Sequence, residues 1–184
     1  MEPRNLILTG PIGEGKTTRV AGALPAIRRS GRSVGGILQY GFEEEGRRVG
    51  YEVVDLATGE RTELCRRPVA KSGRLERPVF LDSGVAAGSA AIRSGAREDL
   101  LVVDEVGPVE LAGGGYDPVL RELLPRRRGR TLLVIRSVML AKAVRRYGLE
   151  PVRVFDLRRD GADDLAGWLL EGWSEPGGVA GASS

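Results

Sequence analysis

Eight residues near the N-terminus, Gly10 to Thr17, have the types and the spacing that bind phosphate groups. They read Gly-Pro-Ile-Gly-Glu-Gly-Lys-Thr, which fits the pattern G-x-x-x-x-G-K-[ST], and they follow an apolar run at 5–9. Glycines let backbone N–H groups converge on an anion without obstruction by side chains. A helix that begins at the end of such a loop adds unpaired donors and a partial positive charge. The pattern therefore predicts a loop that cradles the phosphates of a nucleotide.

Two side chains at the end of this loop have predicted roles in chemistry. Lys16 is expected to reach the β- and γ-phosphates and to act in catalysis, and the Thr17 hydroxyl is expected to ligate Mg²⁺. The alternative is an ordinary glycine-rich turn, but the apolar run before the loop and the helix-compatible residues 17–29 after it favour the phosphate loop. The nucleotide contacts are expected from nine residues: Gly10, Pro11, Ile12, Gly13, Glu14, Gly15, Lys16, Thr17 and Thr18.

Two acidic residues provide the second half of a nucleotide site. Asp104 and Glu105 directly follow the apolar run 100–103, which is typical of a strand buried on both faces. Ligands of open α/β sheets bind at the carboxyl ends of the strands. Asp104 is therefore predicted to hold Mg²⁺ together with Thr17, and Glu105 to polarise the water that attacks the γ-phosphate. The alternative is that both acids only cap the following loop.

Arg136 is a third candidate for catalysis, because it follows the predicted strand 131–135 at the same edge of the sheet. An arginine there can stabilise the charge of the transition state as an arginine finger does. The alternative is an ion pair with Glu105 or Glu110. We interpret Glu110 as a residue that supports the loop rather than one that reacts.

Composition excludes several kinds of chemistry. The chain has 184 residues and no histidine, which removes histidine acid–base catalysis and histidine-ligated metal sites. Cys65 is the only cysteine, so there is neither an intrachain disulfide nor a cysteine cluster, and we interpret it as a half-buried strand residue. We expect one domain over residues 1–173, and a flexible tail over the Gly/Ser/Ala-rich residues 174–184.

The charge and hydropathy patterns indicate where the protein acts. The formal net charge is +3, and the densest basic cluster is Arg126 to Arg128 with Arg130. No aromatic residues alternate with these charges, so we interpret the cluster as a solvated turn and do not expect nucleic-acid binding. No apolar run is long enough to cross a membrane, and the N-terminus lacks a signal layout. We therefore expect a monomer in the cytoplasm.

Strand and helix patterns alternate along the chain, which favours a parallel sheet covered by helices. An antiparallel meander is expected at 48–56 and 60–66, with Thr58-Gly59 as its turn. The fold class is therefore α/β, with three layers and a mainly parallel central sheet. Other strands are predicted at 5–9, 33–40, 79–81, 100–103, 131–135 and 152–155, and helices at 17–29, 82–94, 117–124, 138–147 and 163–173, with Asp82 or Ser83 as a helix cap.

The acidic segment resembles the signature of a known family. Residues 104–111 read Asp-Glu-Val-Gly-Pro-Val-Glu-Leu, which is similar to the Asp-Glu-Ile-Gly-Pro-Met-Glu-Leu of the small nucleoside-triphosphatases first described from thermophiles and also labelled cancer-related. The phosphate loop matches as well, and so do the pairs Gly41-Phe42, Gly50-Tyr51 and Thr58-Gly59. The turn at 43–47 departs from the Tyr-Thr-x-Glu-x-Arg of relatives. The resemblance covers roughly residues 5–157.

This resemblance implies a phosphate-loop NTPase fold and slow, Mg²⁺-dependent hydrolysis of nucleoside triphosphates with broad base preference. The roles carried over are those of residues 10–17, Asp104 and Glu105. A small nucleotide or metabolite kinase is an alternative, because the same loop serves phosphotransfer and the basic segment 66–77 could form a lid. A non-catalytic nucleotide-binding or RNA-associated module is a second alternative. Glu105 argues against it, since a protein that only binds needs no base there.

Overall fold

The apolar runs of the sequence form one continuous sheet. The computed structural model describes residues 4–160 and 164–173, and in this part of the chain eight strands follow the order β5-β4-β3-β2-β6-β7-β1-β8. The strands are β1 (Asn5–Gly10), β2 (Val34–Glu44), β3 (Arg47–Asp55), β4 (Arg61–Arg66), β5 (Val79–Phe80), β6 (Leu100–Val106), β7 (Arg130–Arg136) and β8 (Val152–Asp156).

Helices connect the strands and cover both faces of the sheet. They are α1 (Lys16–Arg29), α2 (Asp82–Gly95), α3 (Pro108–Leu111), α4 (Asp117–Leu123), α5 (Leu140–Tyr147) and α6 (Leu165–Leu170). Short 3₁₀ turns occupy Leu124–Arg126 and Ser137–Met139. No pattern in the sequence predicted α3. No helix in the described residues is long and apolar enough to cross a membrane.

The parallel part of the sheet contains the strands that lead into the predicted site. β2, β6, β7, β1 and β8 pair in parallel, so their carboxyl ends meet at one edge. β7 lies between β1, which enters the phosphate loop, and β6, which carries Asp104. The loop and the acidic residues are far apart in sequence, and this strand order brings them to the same edge.

The remaining strands form the predicted antiparallel meander. β2 pairs with β3 across a turn at Glu45-Gly46, and β3 pairs with β4 across the Thr58-Gly59 turn. β5 adds two residues to the outer edge of β4. β2 ends at Glu44, four residues later than predicted, and this extension carries the meander beyond the parallel strands.

Alternating side chains of the sheet enter two separate hydrophobic cores. On β1, Leu6 and Leu8 pack with α1 and α6, whereas Ile7 packs on the opposite face with α2, α4 and α5. The period of two in a strand places neighbouring residues on opposite faces, and both faces are buried. The three-layer α/β fold with a mainly parallel sheet is therefore confirmed.

Two local predictions differ from the structure, and a third lies outside the part of the chain that it describes. Asp104 and Glu105 lie within β6 rather than after it, because β7 pairs with β6 as far as Val106. The cap position of α2 is Leu81, not Asp82 or Ser83, and no side chain caps this helix. Residue 163, the predicted start of the last helix, and the predicted tail 174–184 lie outside the described residues.

Two of the four arginines in the basic cluster depart from the solvated turn that the sequence indicates, whereas Arg126 and Arg128 are exposed as expected. Arg130 is only 8% exposed and donates hydrogen bonds to the carbonyls of Leu169 and Glu171. Arg127 donates to the carbonyls of Ala96 and Glu98, and burial lowers its pKa to about 10. Backbone carbonyls at the ends of β6, α2 and α6 attract these guanidinium groups into the fold, so they serve the structure.

Candidate active site

The predicted phosphate loop leads directly into α1 and leaves its backbone donors open. Gly13 and Gly15 adopt φ angles of 80° and 74°, in the left-handed region that favours glycine. Gly15 occupies the cap position of α1, and no side chain caps the first turn of this helix. The first N–H groups of α1 therefore have no side-chain partner and point out of the loop, as an anion-binding site requires.

Lys16 folds back into the loop that it follows. Its side chain is buried, and Nζ donates hydrogen bonds to the carbonyls of Gly10 at 3.1 Å and Pro11 at 2.6 Å. These contacts hold the ammonium group against the first two residues of the loop. A phosphate chain in the loop would therefore meet a cation that is already in position.

Thr17 and Asp104 come into direct contact, although 87 positions separate them in sequence. The Thr17 hydroxyl donates to Oδ2 of Asp104 at 2.6 Å, and the backbone N–H of Gln39 donates to the same oxygen at 3.3 Å. Burial raises the pKa of Asp104 to about 6, although the two hydrogen bonds favour its charged form. A hydroxyl and a buried carboxylate are oxygen ligands that fit Mg²⁺, which proteins often hold with one or two carboxylates and the substrate's phosphates. No group of three or more His, Cys, Asp or Glu side chains in residues 4–160 and 164–173 could hold a metal ion.

Glu105 and Arg136 form an ion pair beside this contact. Nε and Nη2 of Arg136 lie 2.7 Å and 2.6 Å from Oε1 of Glu105. Both side chains are partly exposed to the cleft, at 23% for Glu105 and 30% for Arg136. This ion pair is the alternative to an arginine finger that the sequence left open for Arg136. Both groups line the same cleft as Lys16.

Glu110, by contrast, is directed into the protein. Its carboxylate accepts hydrogen bonds from the backbone N–H groups of Gly107 at 2.9 Å and Tyr116 at 3.4 Å. Burial raises its pKa, and its side chain closes the turn that contains α3. This geometry favours the supporting role that we assigned to Glu110.

A cleft of about 450 Å³ joins these residues. Six of the nine predicted loop residues line it, namely Ile12, Gly13, Gly15, Lys16, Thr17 and Thr18, together with Asp104, Glu105 and Arg136. The others lie behind it: the carbonyls of Gly10 and Pro11 hold Lys16, and Glu14 faces Arg158 at 3.5 Å.

The cleft also contains residues that sequence reasoning missed. Gln39, Arg48, Tyr51 and Phe80 line it from the antiparallel strands. No motif marks them as site residues, because only the pairing of β2 to β5 brings them to the cleft. Fold and site together define an α/β protein with a phosphate-binding loop and an adjacent pair of strand-borne carboxyl groups.

Comparisons with known proteins identify the family. The model of the NTPase family matches residues 5–169. The nucleoside-triphosphatase THEP1 of Methanopyrus kandleri is 39% identical over 120 residues, which cover 65% of this chain and 66% of that protein. The cancer-related nucleoside-triphosphatase homolog of Mus musculus is 26% identical over 186 residues, which cover 88% of this chain and 92% of that protein.

Solved structures agree with this result. The solution structure of a human cancer-related nucleoside triphosphatase superimposes with a TM-score of 0.70 at 25% identity, covering 91% of this chain and 95% of that one. The crystal structure of THEP1 from Aquifex aeolicus shares the fold, with a TM-score of 0.59 at 19% identity over 90% of this chain and 96% of that one. The chain therefore belongs to this family of nucleoside-triphosphatases.

Proposed function

We propose that this protein hydrolyses nucleoside triphosphates to the diphosphate and phosphate, with Mg²⁺ as its cofactor. The observation that carries the proposal is the contact between Thr17 and Asp104, with Glu105 next to it in the same cleft. A phosphate loop, a pair of metal-ligating oxygens and a carboxylate base must be adjacent for water to attack a γ-phosphate.

Mg²⁺ would be held by Asp104 and Thr17, together with phosphate oxygens of the substrate. When bound, it neutralises the charge that develops on the phosphates. The side chains of Asp104 and Thr17 already lie within hydrogen-bonding distance of each other. This contact supports a site for the ion between the loop and β6.

The protein's own groups divide the remaining work. The open N–H groups of the loop and the Lys16 ammonium bind the β- and γ-phosphates. The carboxylate of Glu105 accepts the proton of the attacking water, and Arg136 turns from Glu105 to the γ-phosphate as negative charge develops there. Nη2 of Arg136 already lies 2.6 Å from Oε1 of Glu105. This ion pair must therefore separate before hydrolysis can proceed.

This arrangement accounts for two finer features of the proposal. Turnover is slow, because Glu105 and Arg136 neutralise each other until substrate separates them, and because the chain has no histidine to assist. Base preference is broad, since the contacts we assign are made to phosphates, chiefly by the backbone of residues 10–17.

The direct test measures phosphate release from ATP, GTP, CTP and UTP by the purified protein. We expect all four to be hydrolysed with Mg²⁺ and none when a chelator removes it. Lys16→Ala should abolish release and weaken nucleotide binding, because it removes the cation held over the loop. Lys142→Ala, at an exposed position of α5, is the matched control and should behave like the unsubstituted protein. Undiminished release by Lys16→Ala would contradict the proposal.

A further inference from the structure

Three cationic side chains of the described residues line the cleft, and one of them has no role in the proposed reaction. They are Lys16, Arg48 and Arg136. Lys16 donates to two carbonyls of the phosphate loop, and Arg136 is paired with Glu105. Arg48 belongs to β3, on the opposite side of the cleft from the loop. Its position is therefore not explained by the phosphate loop or by the catalytic pair.

A bulge in β3 directs Arg48 to the cleft. The pairing of β2 with β3 shifts register between Phe42 and Glu43, because Phe42 pairs with Gly50 whereas Glu43 pairs with Arg48. Uninterrupted alternation would place Arg48 opposite Glu44, on the other face of the sheet. The extra residue in β3 instead gives Arg48 the same face as Glu43. Bulges commonly redirect a side chain in this way next to active sites.

This face of the antiparallel strands is the one that lines the cleft. Gly41 pairs with Tyr51, Tyr51 with Cys65 and Cys65 with Phe80, and all four residues line the cleft. The side chain of Arg48 lies over the first residue of this row, since a Cβ at Gly41 would be 2.6 Å from Nε and 2.7 Å from Cδ of Arg48. The glycine thus leaves the space that the arginine occupies.

Arg48 is also the cation that is most easily drawn to an anion. Its ion-pair partner among the described residues is Glu43 at 3.6 Å, which is longer than a hydrogen bond, and both side chains are 54% exposed. Arg136, by contrast, makes contacts of 2.7 Å and 2.6 Å with Glu105. An exposed ion pair contributes little free energy, so Arg48 can leave Glu43 at small cost.

Arg48 lies next to the predicted metal site. The backbone N–H of Gln39 donates to Oδ2 of Asp104 at 3.3 Å. Gly41 is the next residue of β2 on the same face, about 7 Å further along the strand. β2 pairs with β6 only as far as Ile37, so this part of β2 extends past the edge of the sheet where the phosphates are expected. The guanidinium group of Arg48 is consequently beside the end of the phosphate chain that meets the metal.

We propose that Arg48 recognises the γ-phosphate of the bound nucleotide, so that the cleft selects nucleoside triphosphates over diphosphates. The guanidinium group leaves Glu43 and donates hydrogen bonds to terminal phosphate oxygens. Arg136 stays with Glu105 until charge develops on the γ-phosphate, so Arg48 acts in binding and Arg136 in the transition state. A diphosphate ends before Arg48 and leaves it beside Glu43. This inference rests on the proposed function, because it needs the same placement of the phosphate chain.

Calorimetric titration of the full chain with Mg²⁺ compares the β,γ-imido analogue of ATP with ADP. Arg48→Ala should weaken binding of the analogue roughly tenfold, the scale of one charge-assisted hydrogen bond, and binding of ADP by less than about twofold. When chemistry is slow, KM follows the dissociation constant of the substrate. The KM for ATP should therefore rise by a similar factor, whereas kcat changes little.

Gly41→Ala tests the position of Arg48 without removing its charge. The added methyl group forces the stem of Arg48 to move, so the analogue should bind more weakly while ADP binds as before. Arg93→Ala is the matched control, because Arg93 is similarly exposed, at 49%, faces an exposed partner in Glu122 and does not line the cleft. This control should change neither affinity.

Unchanged affinity of Arg48→Ala for the analogue overturns the inference. An equal loss for the analogue and ADP also overturns it, because it would indicate a damaged cleft rather than a lost contact with the γ-phosphate. A fall in kcat at unchanged KM contradicts the role in binding and would assign Arg48 to the transition state. If the unsubstituted protein releases no phosphate, hydrolysis itself is overturned, and the titrations still decide whether Arg48 recognises the γ-phosphate.

Discussion

Glu105 differs from its neighbour Asp104 because the pairing of β6 with β7 shifts between them. Asp104 pairs with Val134 and Val106 pairs with Ile135, so Glu105 is an extra residue in β6. Such a bulge redirects a side chain. Asp104 is consequently 2% exposed and bonded to Thr17, whereas Glu105 reaches the cleft and Arg136. Two adjacent acids thereby gain the different environments that a metal ligand and a base need.

Substitution at Glu105 should separate binding from chemistry. Glu105→Gln keeps the size of the side chain but removes the base, so we expect unchanged affinity for Mg²⁺–nucleotide and hydrolysis slowed by roughly 100-fold or more. Asp104→Asn should weaken metal binding instead. Single-turnover phosphate release and calorimetric titration measure the two effects.

Glu76→Gln, at an exposed position that does not line the cleft, is the control for this experiment and should leave both quantities unchanged. If Glu105→Gln hydrolyses as fast as the unsubstituted protein, Glu105 is not the base.

At the scale of elements, α4 and α5 are joined by a partly buried ion pair. Nε and Nη2 of Arg146 donate to the carboxylate oxygens of Asp117 at 2.6 Å and 2.7 Å, and the Tyr147 hydroxyl donates to Oδ1 at 3.0 Å. The Asp117 side chain is 4% exposed. These helices cover the same face of the sheet as α3, which carries Glu110 and borders the cleft.

Asp117→Asn should therefore reduce the free energy of unfolding by roughly 2 kcal/mol at neutral pH, because it leaves Arg146 without its charged partner. The hydrogen bond from Arg146 is the main cause that lowers the pKa of Asp117 in the folded protein. Folding thus favours the charged carboxylate, and its contribution is complete above the unfolded pKa of about 3.9. The difference between the two proteins should shrink as pH falls below about 4.

Urea unfolding at pH 7 and near pH 3 measures this difference. Glu122→Gln removes the exposed pair with Arg93, where the side chains are 50% and 49% exposed, and serves as a control that should change stability by less than about 0.5 kcal/mol. A difference between Asp117→Asn and the unsubstituted protein that is constant with pH would contradict the assignment.

At the scale of the whole molecule, the site joins segments that interleave along much of the chain. β1, α1 and β7 provide the loop, Lys16 and Arg136, whereas β2 to β5 and the β6–α3 segment provide the opposite side of the cleft. A ligand that binds both sides stabilises the folded state by mass action.

A non-hydrolysable nucleoside triphosphate analogue with Mg²⁺ should raise the melting temperature by about 5–10 °C at a concentration near 100 times its Kd, which corresponds to about 2.7 kcal/mol. Thermal scans should show a smaller shift without Mg²⁺, and none for Lys16→Ala at the same concentration. Equal shifts for Lys16→Ala and the unsubstituted protein would place the nucleotide elsewhere.

Local patterns in the sequence determined the phosphate loop, the alternation of strands and helices and the candidates at 104, 105 and 136. These features follow from residues that are close in sequence. Gly13 and Gly15 permit positive φ angles, and the apolar runs are stable only when they are buried. Tertiary structure decided what depends on strand pairing. The bulge at Glu105, the burial of Arg130 and the row from Gly41 to Phe80 arise between residues distant in sequence, whose contacts no local pattern encodes.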